Sequence, residues 1–337
     1  MSPGAVRLAI AAALGLAQSR LPALRVEAGG SGGNSRIYIA TLDGRKFVAK
    51  QYFRHPSDER NRLQAECAFL EYAAHSGIGC VPKLVARDEA GGLGIYEHIA
   101  GRQLGAEDIS AARVREAAAF FLRLNDPAHL DAARSLPAAS EACFSIEQHL
   151  AMVDGRIRRL GAISGTEEAD RAAREFAAAL ERRWREIRGG ILEAERAGGR
   201  DPAVQVEARC VSPSDFGFHN ALLRDSGELC FLDFEYAGWD DPAKMAGDFF
   251  AHPGVPVPRA HFAEFLRITM GFSPHAAVLE ARARLLEPLF RIKWCCIVLN
   301  EFVPEAARRR RFAVPGRDES LRKRLQLDKA RGLLATV

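Results

Sequence analysis

Residues 215–242 read Asp215-Phe-Gly-Phe-His-Asn220-Ala-Leu-Leu-Arg-Asp225-Ser-Gly-Glu-Leu-Cys230-Phe-Leu-Asp-Phe-Glu235-Tyr-Ala-Gly-Trp-Asp240-Asp-Pro242. Two short apolar runs, Ala221-Leu-Leu and Leu229-Cys-Phe-Leu, flank the polar group Asp225-Ser-Gly-Glu228, which is the pattern of a β-hairpin. With those four residues as the loop, Leu222 is expected to face Phe231, and Asn220 to face Asp233. An amide and a carboxylate side by side offer hard oxygen ligands. Such ligands suit Mg²⁺, which keeps several waters and binds through few protein groups plus substrate phosphates. A plain strand-end hydrogen bond between Asn220 and Asp233 is the other reading.

Asp215 lies five residues before Asn220, in Ser212-Pro-Ser-Asp-Phe-Gly-Phe-His-Asn220, which has neither helical nor alternating period and is therefore a loop. A carboxylate on such a loop, next to a metal, can accept a hydroxyl proton. Alone, an Asp after Ser-Pro-Ser is an ordinary turn or cap residue. The spacing 215, 220, 233 gives it a chemical meaning.

A second constellation stands upstream. Residues 26–50 read as strand, Gly-rich loop, strand, turn, strand, with Asp43-Gly44 supplying the positive φ of a tight turn. That turn pairs Ile39 with Val48 and Ile37 with Lys50, so Lys50 ends a strand on an apolar face. A buried ammonium is costly unless paired. Glu66, three residues after Leu63 and four before Leu70, shares the buried stripe of the next helix and is the matching charge. Protein kinases use such a Lys–Glu pair to direct the lysine to phosphates. A lysine with its head in water and a glutamate at the stripe's edge is the alternative. Gly29-Gly30-Ser31-Gly32-Gly33-Asn34 could cradle phosphates with its backbone N–H groups, although it matches neither common nucleotide fingerprint and would also serve as a flexible turn.

The 337 residues exceed the ~100 to 200 of one typical domain, and two lobes are expected. Apolar residues at 63, 67, 70 and 74 predict a helix over 58–76, and strands follow at 83–86 and 93–99. Helical stretches are expected at 109–125, 145–160, 166–197, 259–270 and 274–300. The fold class is α+β: a small antiparallel β lobe over residues 1–100 and a mainly helical lobe over 101–337.

The apolar stretch 8–17 is read as a first helix on the small lobe rather than a signal-peptide core, and no run reaches the ~18 apolar residues of a membrane span. Seven scattered cysteines without a C-x-x-C pair suit reduced thiols, and a cytoplasmic location is expected. Residues 255–337 carry 16 Lys/Arg against 8 Asp/Glu, including Arg308 to Arg311, but lack the interleaved aromatics on which single strands stack. No nucleic-acid partner is expected.

Taken in order, the Gly-rich hairpin, Lys50, Glu66, Glu97-His-Ile-Ala-Gly101, Asp215-Phe-Gly-Phe-His-Asn220 and Leu232-Asp-Phe-Glu-Tyr-Ala-Gly-Trp-Asp-Asp-Pro242 resemble the aminoglycoside phosphotransferase and choline kinase family. That family is a branch of the protein-kinase-like fold. The resemblance implies an ATP- and magnesium-dependent transfer of a γ-phosphoryl group to a hydroxyl of a small molecule. It makes Asp215 the base or orienter, Asn220 and Asp233 the magnesium ligands, and Lys50, held by Glu66, the grip on the α- and β-phosphates. Gly29, Gly30, Ser31, Gly32 and Gly33 would cover the phosphates, and adenine would meet backbone groups of Glu97 and Ile99. Asp241 would brace the active-site loops.

Three departures stand out: Pro213-Ser214 replaces the family's His-Gly, the Gly-rich loop is unusually small in side chains, and the acidic residue after the Asp-Pro turn comes late, at Asp248. A nucleotide-binding sensor without transfer is the rival reading. A protein kinase is the lesser one, since His-Arg-Asp, Asp-Phe-Gly and Ala-Pro-Glu strings are missing.

Overall fold

A computed structural model describes residues 3–31, 35–54, 60–304 and 319–337. Helix α1 (Pro3–Ala13) leads into strands β1 (Arg25–Ser31), β2 (Ser35–Leu42) and β3 (Arg45–Tyr52). Asp43 and Gly44 take φ of 49° and 79°, the two positive values a two-residue hairpin turn needs, and the register pairs Ile39 with Val48 and Ile37 with Lys50 as expected. Helix α2 (Arg62–His75) follows, then β4 (Leu84–Asp88) and β5 (Leu93–Glu97). The five strands form one antiparallel sheet in the order β1-β2-β3-β5-β4.

Both faces of this sheet are covered. Val6, Ile10 and Ala11 of α1 pack with Leu24, Ala40, Phe47, Ala49, Leu93 and Ile95 on one side. Leu63 and Cys67 of α2 pack with Tyr52 on the other. Helix α2 begins where the Asn61 side chain accepts a hydrogen bond from Gln64 N, and ends before Gly77 at φ 67°. Burying each such Leu, Ile or Phe contributes roughly 1.5–3 kcal/mol, which is what keeps α2, and Glu66 with it, clamped to the sheet.

The remainder is mainly helical: α3 (Ala111–Leu124), α4 (Ile146–Leu160), α5 (Glu168–Ala197), α6 (Pro242–Ala251), α7 (Phe262–Thr269), α8 (Ala276–Leu299) and a last helix, Glu319–Leu334. All ten residues of α6 are buried, against an α8 that is itself mostly buried. Two small sheets interrupt the helices. Strands β6 (Arg102–Gln103), β8 (Ala221–Leu223) and β9 (Leu229–Phe231) form one; β7 (Cys210–Ser212) and β10 (Gly238–Asp240) pair as the other.

The β8–β9 register corrects the sequence reading. Ala221, not Leu222, lies opposite Phe231, and Leu232 N donates to Asn220 O at 2.8 Å, so Asn220 faces Leu232 rather than Asp233. The loop has three residues, not four. Arg224 N bonds Glu228 O at 3.0 Å, and Gly227, at φ 84°, fills the left-handed position that closes a three-residue hairpin. Asp233 then stands one residue beyond the ladder, itself at φ 67°.

All seven cysteines are free thiols, and among the described residues no helix is long and apolar enough to cross a membrane. Gly32, Gly33 and the Arg308 to Arg311 run lie outside the described residues.

Candidate active site

The β sheet and α2 deliver Lys50 and Glu66 to one place. Lys50 Nζ donates to Glu66 Oε1 at 2.7 Å and Oε2 at 3.1 Å, and to Asp233 Oδ1 at 2.9 Å. Lys50 is 9% exposed and Glu66 2%. Burial pulls the Lys50 ammonium toward neutrality, but the Asp233 and Glu66 charges outweigh it and hold its pKa above the ordinary value. Glu66 goes up, since burial outweighs the lysine. The left-handed backbone at Asp233, tolerable for Asp, turns the chain off β9 and sends the carboxylate back to Lys50.

A third carboxylate crowds this pair. Glu235 is 5% exposed, with Arg62 Nε at 3.7 Å, and burial together with the Asp233 charge pushes its pKa up to about 7 despite Lys50. Tyr52 donates to Glu66 Oε2 and shares a hydrogen bond of 2.7 Å with the Tyr96 hydroxyl.

The catalytic-loop candidates form their own cluster. The Asp215 carboxylate meets His219 Nε2 at 3.2 Å and Asn220 Nδ2 at 3.3 Å, while Asn220 Nδ2 also donates to Asp215 O at 3.0 Å. Burial raises the Asp215 pKa, but the His219 hydrogen bond, the His219 and His252 charges and the Asn220 amide outweigh it and hold the carboxyl below its usual range.

His252 stacks on His219 with ring centroids 3.4 Å apart and planes 8° from parallel, and its Nε2 lies 3.9 Å from Asp215 Oδ1. Asp215, His219 and His252 therefore hold three metal-type donors close together. Rings stacked 3.4 Å apart keep their nitrogen lone pairs in two separate, nearly parallel planes, whereas a tetrahedral ion needs them to converge on one point. We read the trio as a brace on Asp215.

The donors that could hold magnesium are a different pair. With its NH₂ committed to Asp215, Asn220 keeps its carbonyl oxygen as a donor, and Asp233 spends one oxygen on Lys50. Among the described residues the carboxyl groups of Glu66, Asp233 and Glu235 gather around Lys50, a concentration of hard oxygen that suits a divalent cation.

Two supports hold the loop. Ser214 holds a left-handed φ of 66°, a conformation that costs glycine nothing and a serine something, and its Oγ takes a hydrogen bond of 3.4 Å from Lys244 Nζ. Lys244 also pairs with Asp240, and lies 3.8 Å from Asp248. Asp241 caps α6 by accepting from Ala243 N at 2.8 Å, and is held by His149 Nε2 at 3.0 Å and Arg282 Nε at 2.9 Å. Burial raises its pKa, but the His149 hydrogen bond and the Arg282 charge bring it down to about 2. It therefore ties α6 to α4 and α8, while contact with the 213–215 loop runs through Lys244. Asp248 is spent on Lys293 Nζ at 2.7 Å and Trp294 Nε1 at 2.9 Å.

Of the residues expected at an adenine, Glu97 commits its backbone N–H to Lys83 O at 2.9 Å. Ile99, buried in the segment that follows β5, has no backbone hydrogen bond among the described residues. Gly29, Gly30 and Ser31 form the irregular end of β1, at a register shift opposite β2. Sequence reasoning missed Tyr52, Tyr96, Glu235, His219, His252 and Lys244. Tyr52, two residues after Lys50 on one strand, was open to the period-two argument, and Lys244 stands four residues from both Asp240 and Asp248.

A five-stranded lobe with a buried Lys–Glu pair, set on a helical part that carries the loop and hairpin carboxylates, is a protein-kinase-like α+β fold. The chain belongs to the phosphotransferase enzyme family, which it matches over residues 25–271. Its fold is similar to that of choline kinase from Cryptosporidium parvum Iowa II (12% identity, 98% of each chain, TM-score 0.58). It is likewise similar to choline kinase LicA from Streptococcus pneumoniae (15%, 99% of each chain, TM-score 0.57). A third likeness is to an APH(2")-IIa in complex with gentamicin (17%, 93% of this chain and 91% of that one, TM-score 0.56). No curated protein sequence matches the chain.

Proposed function

We propose that this phosphotransferase moves the γ-phosphoryl group of ATP to a hydroxyl of a small molecule. The observation that carries the reading is Lys50 Nζ, held between Glu66 at 2.7 Å and Asp233 at 2.9 Å, so that elements far apart in sequence join at one ammonium. Lys50 would bind the α- and β-phosphates, and Glu66 would keep it aimed. Asn220 and Asp233 would hold magnesium, which supplies charge neutralisation for the phosphates when bound. Asp215 would hold the acceptor hydroxyl in line, braced by His219 and Asn220. Adenine would use the backbone of Ile99, with Gly29, Gly30 and Ser31 beside the phosphates.

A sugar, amino sugar or simple amino alcohol is the favoured acceptor. Beside Asp215 stand the rings of His219 and His252, with Trp294 edge-on to His252 at 4.3 Å, and the nearby Asp248 is consumed by Lys293 and Trp294. A polycation would need unspent carboxylates there, and among the described residues Asp248 is not one.

The test is ADP release with ATP and Mg²⁺ across a panel of hydroxylated metabolites. Turnover on at least one, abolished by chelator and cut by orders of magnitude in Asp215→Ala and Asp233→Ala proteins that still fold, is the expected result. Wild-type rates in either variant would overturn the assignment, and nucleotide binding without turnover on any acceptor would favour a sensor.

A further inference from the structure

One buried arrangement behind the lysine is not used by the reaction outlined above. Val48, Lys50 and Tyr52 alternate along β3 and so share a face of the sheet. On β5, Tyr96 lies opposite Val48 and Gly94 opposite Lys50, which puts them on the same face. A Cβ on Gly94 would stand 2.2 Å from the Tyr96 hydroxyl and 2.6 Å from the ring carbon bearing it. The absent side chain is therefore the space through which the Tyr96 phenol lies, crossing beside Lys50 to reach the Tyr52 hydroxyl at 2.7 Å. Tyr52 in turn donates to Glu66 Oε2, and Lys50 Nζ stands 5.7 Å from the centre of the Tyr96 ring. Tyr52, Tyr96 and Glu66 are 5%, 2% and 2% exposed, so water does not substitute for any of these partners.

Lys50 has two carboxylates to choose from, Glu66 and Asp233. A glutamate held by the lysine alone can swing with it. One whose Oε2 is also anchored to a tyrosine on the sheet cannot. We propose that Tyr52, backed by Tyr96 across Gly94, is a positioning residue that fixes the Glu66 carboxylate and thereby sets where Lys50 presents its charge to the nucleotide. The inference rests on the phosphate-binding role given to Lys50 above.

The experiment compares wild type, Tyr52→Phe, Tyr96→Phe, Lys50→Met, Glu66→Gln and the double variant Tyr52→Phe/Glu66→Gln. For each, KM for ATP, KM for the acceptor, kcat, affinity for a non-hydrolysable ATP analogue by calorimetry, and Tm are measured. Tyr52→Phe keeps the ring and removes only the donor. It should raise KM for ATP and weaken the analogue on the order of tenfold, the size of a lost hydrogen bond to a charged group. KM for the acceptor should stay at the wild-type value, a split that general loosening of the fold does not give. Tyr96→Phe should shift the same constants in the same direction by less, and serves if Tyr52→Phe does not fold. In the Glu66→Gln background the tyrosine substitution should add nothing further. A Tyr52→Phe enzyme with wild-type nucleotide constants, or effects that multiply with those of Glu66→Gln, would overturn the proposal while leaving Lys50 in its role. Wild-type analogue binding by Lys50→Met would instead overturn the role of Lys50, and the positioning claim with it.

Discussion

His252, the residue that ends α6, lies face to face on His219 with ring centroids 3.4 Å apart, and the two imidazoles share the Asp215 carboxylate at 3.9 and 3.2 Å. A buried helix end is thereby used as a wall behind a loop that would otherwise be positioned by its own backbone alone. The wall has an electrostatic condition: two stacked imidazoles cannot both be charged cheaply. Burial, then the His219 charge, then Lys329 and Lys293, push the His252 pKa down to about 3 against the pull of Asp215.

That depression makes a prediction for stability against pH. His252 is neutral in the folded protein from its ordinary 6.5 down to about 3, whereas the unfolded chain protonates it below 6.5. Its contribution is present above pH 6.5 and is lost as pH falls toward 3, at up to ~1.4 kcal/mol per pH unit. The groups facing it are Asp215 and His219 on the loop, Lys293 and Trp294 on α8, and Lys329 on the last helix. Urea denaturation at pH 7, 6 and 5 should show a shallower acid loss for His252→Asn than for wild type. Parallel curves would remove the claim.

Lys244 carries a second prediction. It is 1% exposed, pairs with Asp240, lies 3.8 Å from Asp248 and reaches Ser214 Oγ at 3.4 Å. Burial already pushes Asp240 up to about 6 against the lysine's pull. Lys244→Met would leave that carboxylate unpaired and should destabilise by roughly 3–5 kcal/mol in chemical denaturation, the usual cost of breaking a buried ion pair from one side. Adding Asp240→Asn should return part of the loss. A double variant no more stable than the single one would show that the charge is not the cause.

The parts of this molecule legible in its sequence are those fixed by short-range rules. Asp43-Gly44 dictated a two-residue turn and hence Lys50 opposite Ile37, and helical spacing placed Glu66 inward, so their meeting could be expected from charge alone. The hairpin failed by one residue for a reason equally local. Loops of three and of four residues fit Asp225-Ser-Gly-Glu228 about equally on composition, and only Gly227 taking a left-handed φ decides between them. What lay beyond reach was contact across long separations: His219 with His252, Asp241 with His149 and Arg282, Tyr52 with Tyr96. No periodicity reports these, because the folding of the helical part onto the hairpin creates them.

Gly227 offers a direct test of that loop. At φ 84° an alanine pays the left-handed penalty of about 1–2 kcal/mol, so Gly227→Ala should lower stability by that amount. Since the β8–β9 register sets where Asn220 and Asp233 stand, kcat should fall by more than the small loss of folded protein explains. A Tm equal to wild type would mean the loop readily adopts another closure.

The last prediction concerns the join between α2 and the hairpin. Phe69 of α2 stacks on Phe234 at 4.3 Å with planes 21° apart, and Phe120 of α3 stacks on Phe231 at 4.4 Å, so the segment holding Asp233 is gripped by one ring on each flank. Glu66 lies one helical turn from Phe69, so the Phe69–Phe234 stack sets the same separation that the Glu66–Lys50–Asp233 bridge spans. Phe234→Ala should cost ~3–5 kcal/mol by transfer and cavity terms. Phe234→Leu should cost much less, yet still let α2 shift against Asp233, and the ATP-dependent rate should drop further than its Tm. If the leucine variant loses stability but keeps full activity, packing at this join does not govern the carboxylate spacing, and the bridge is held by its charges alone.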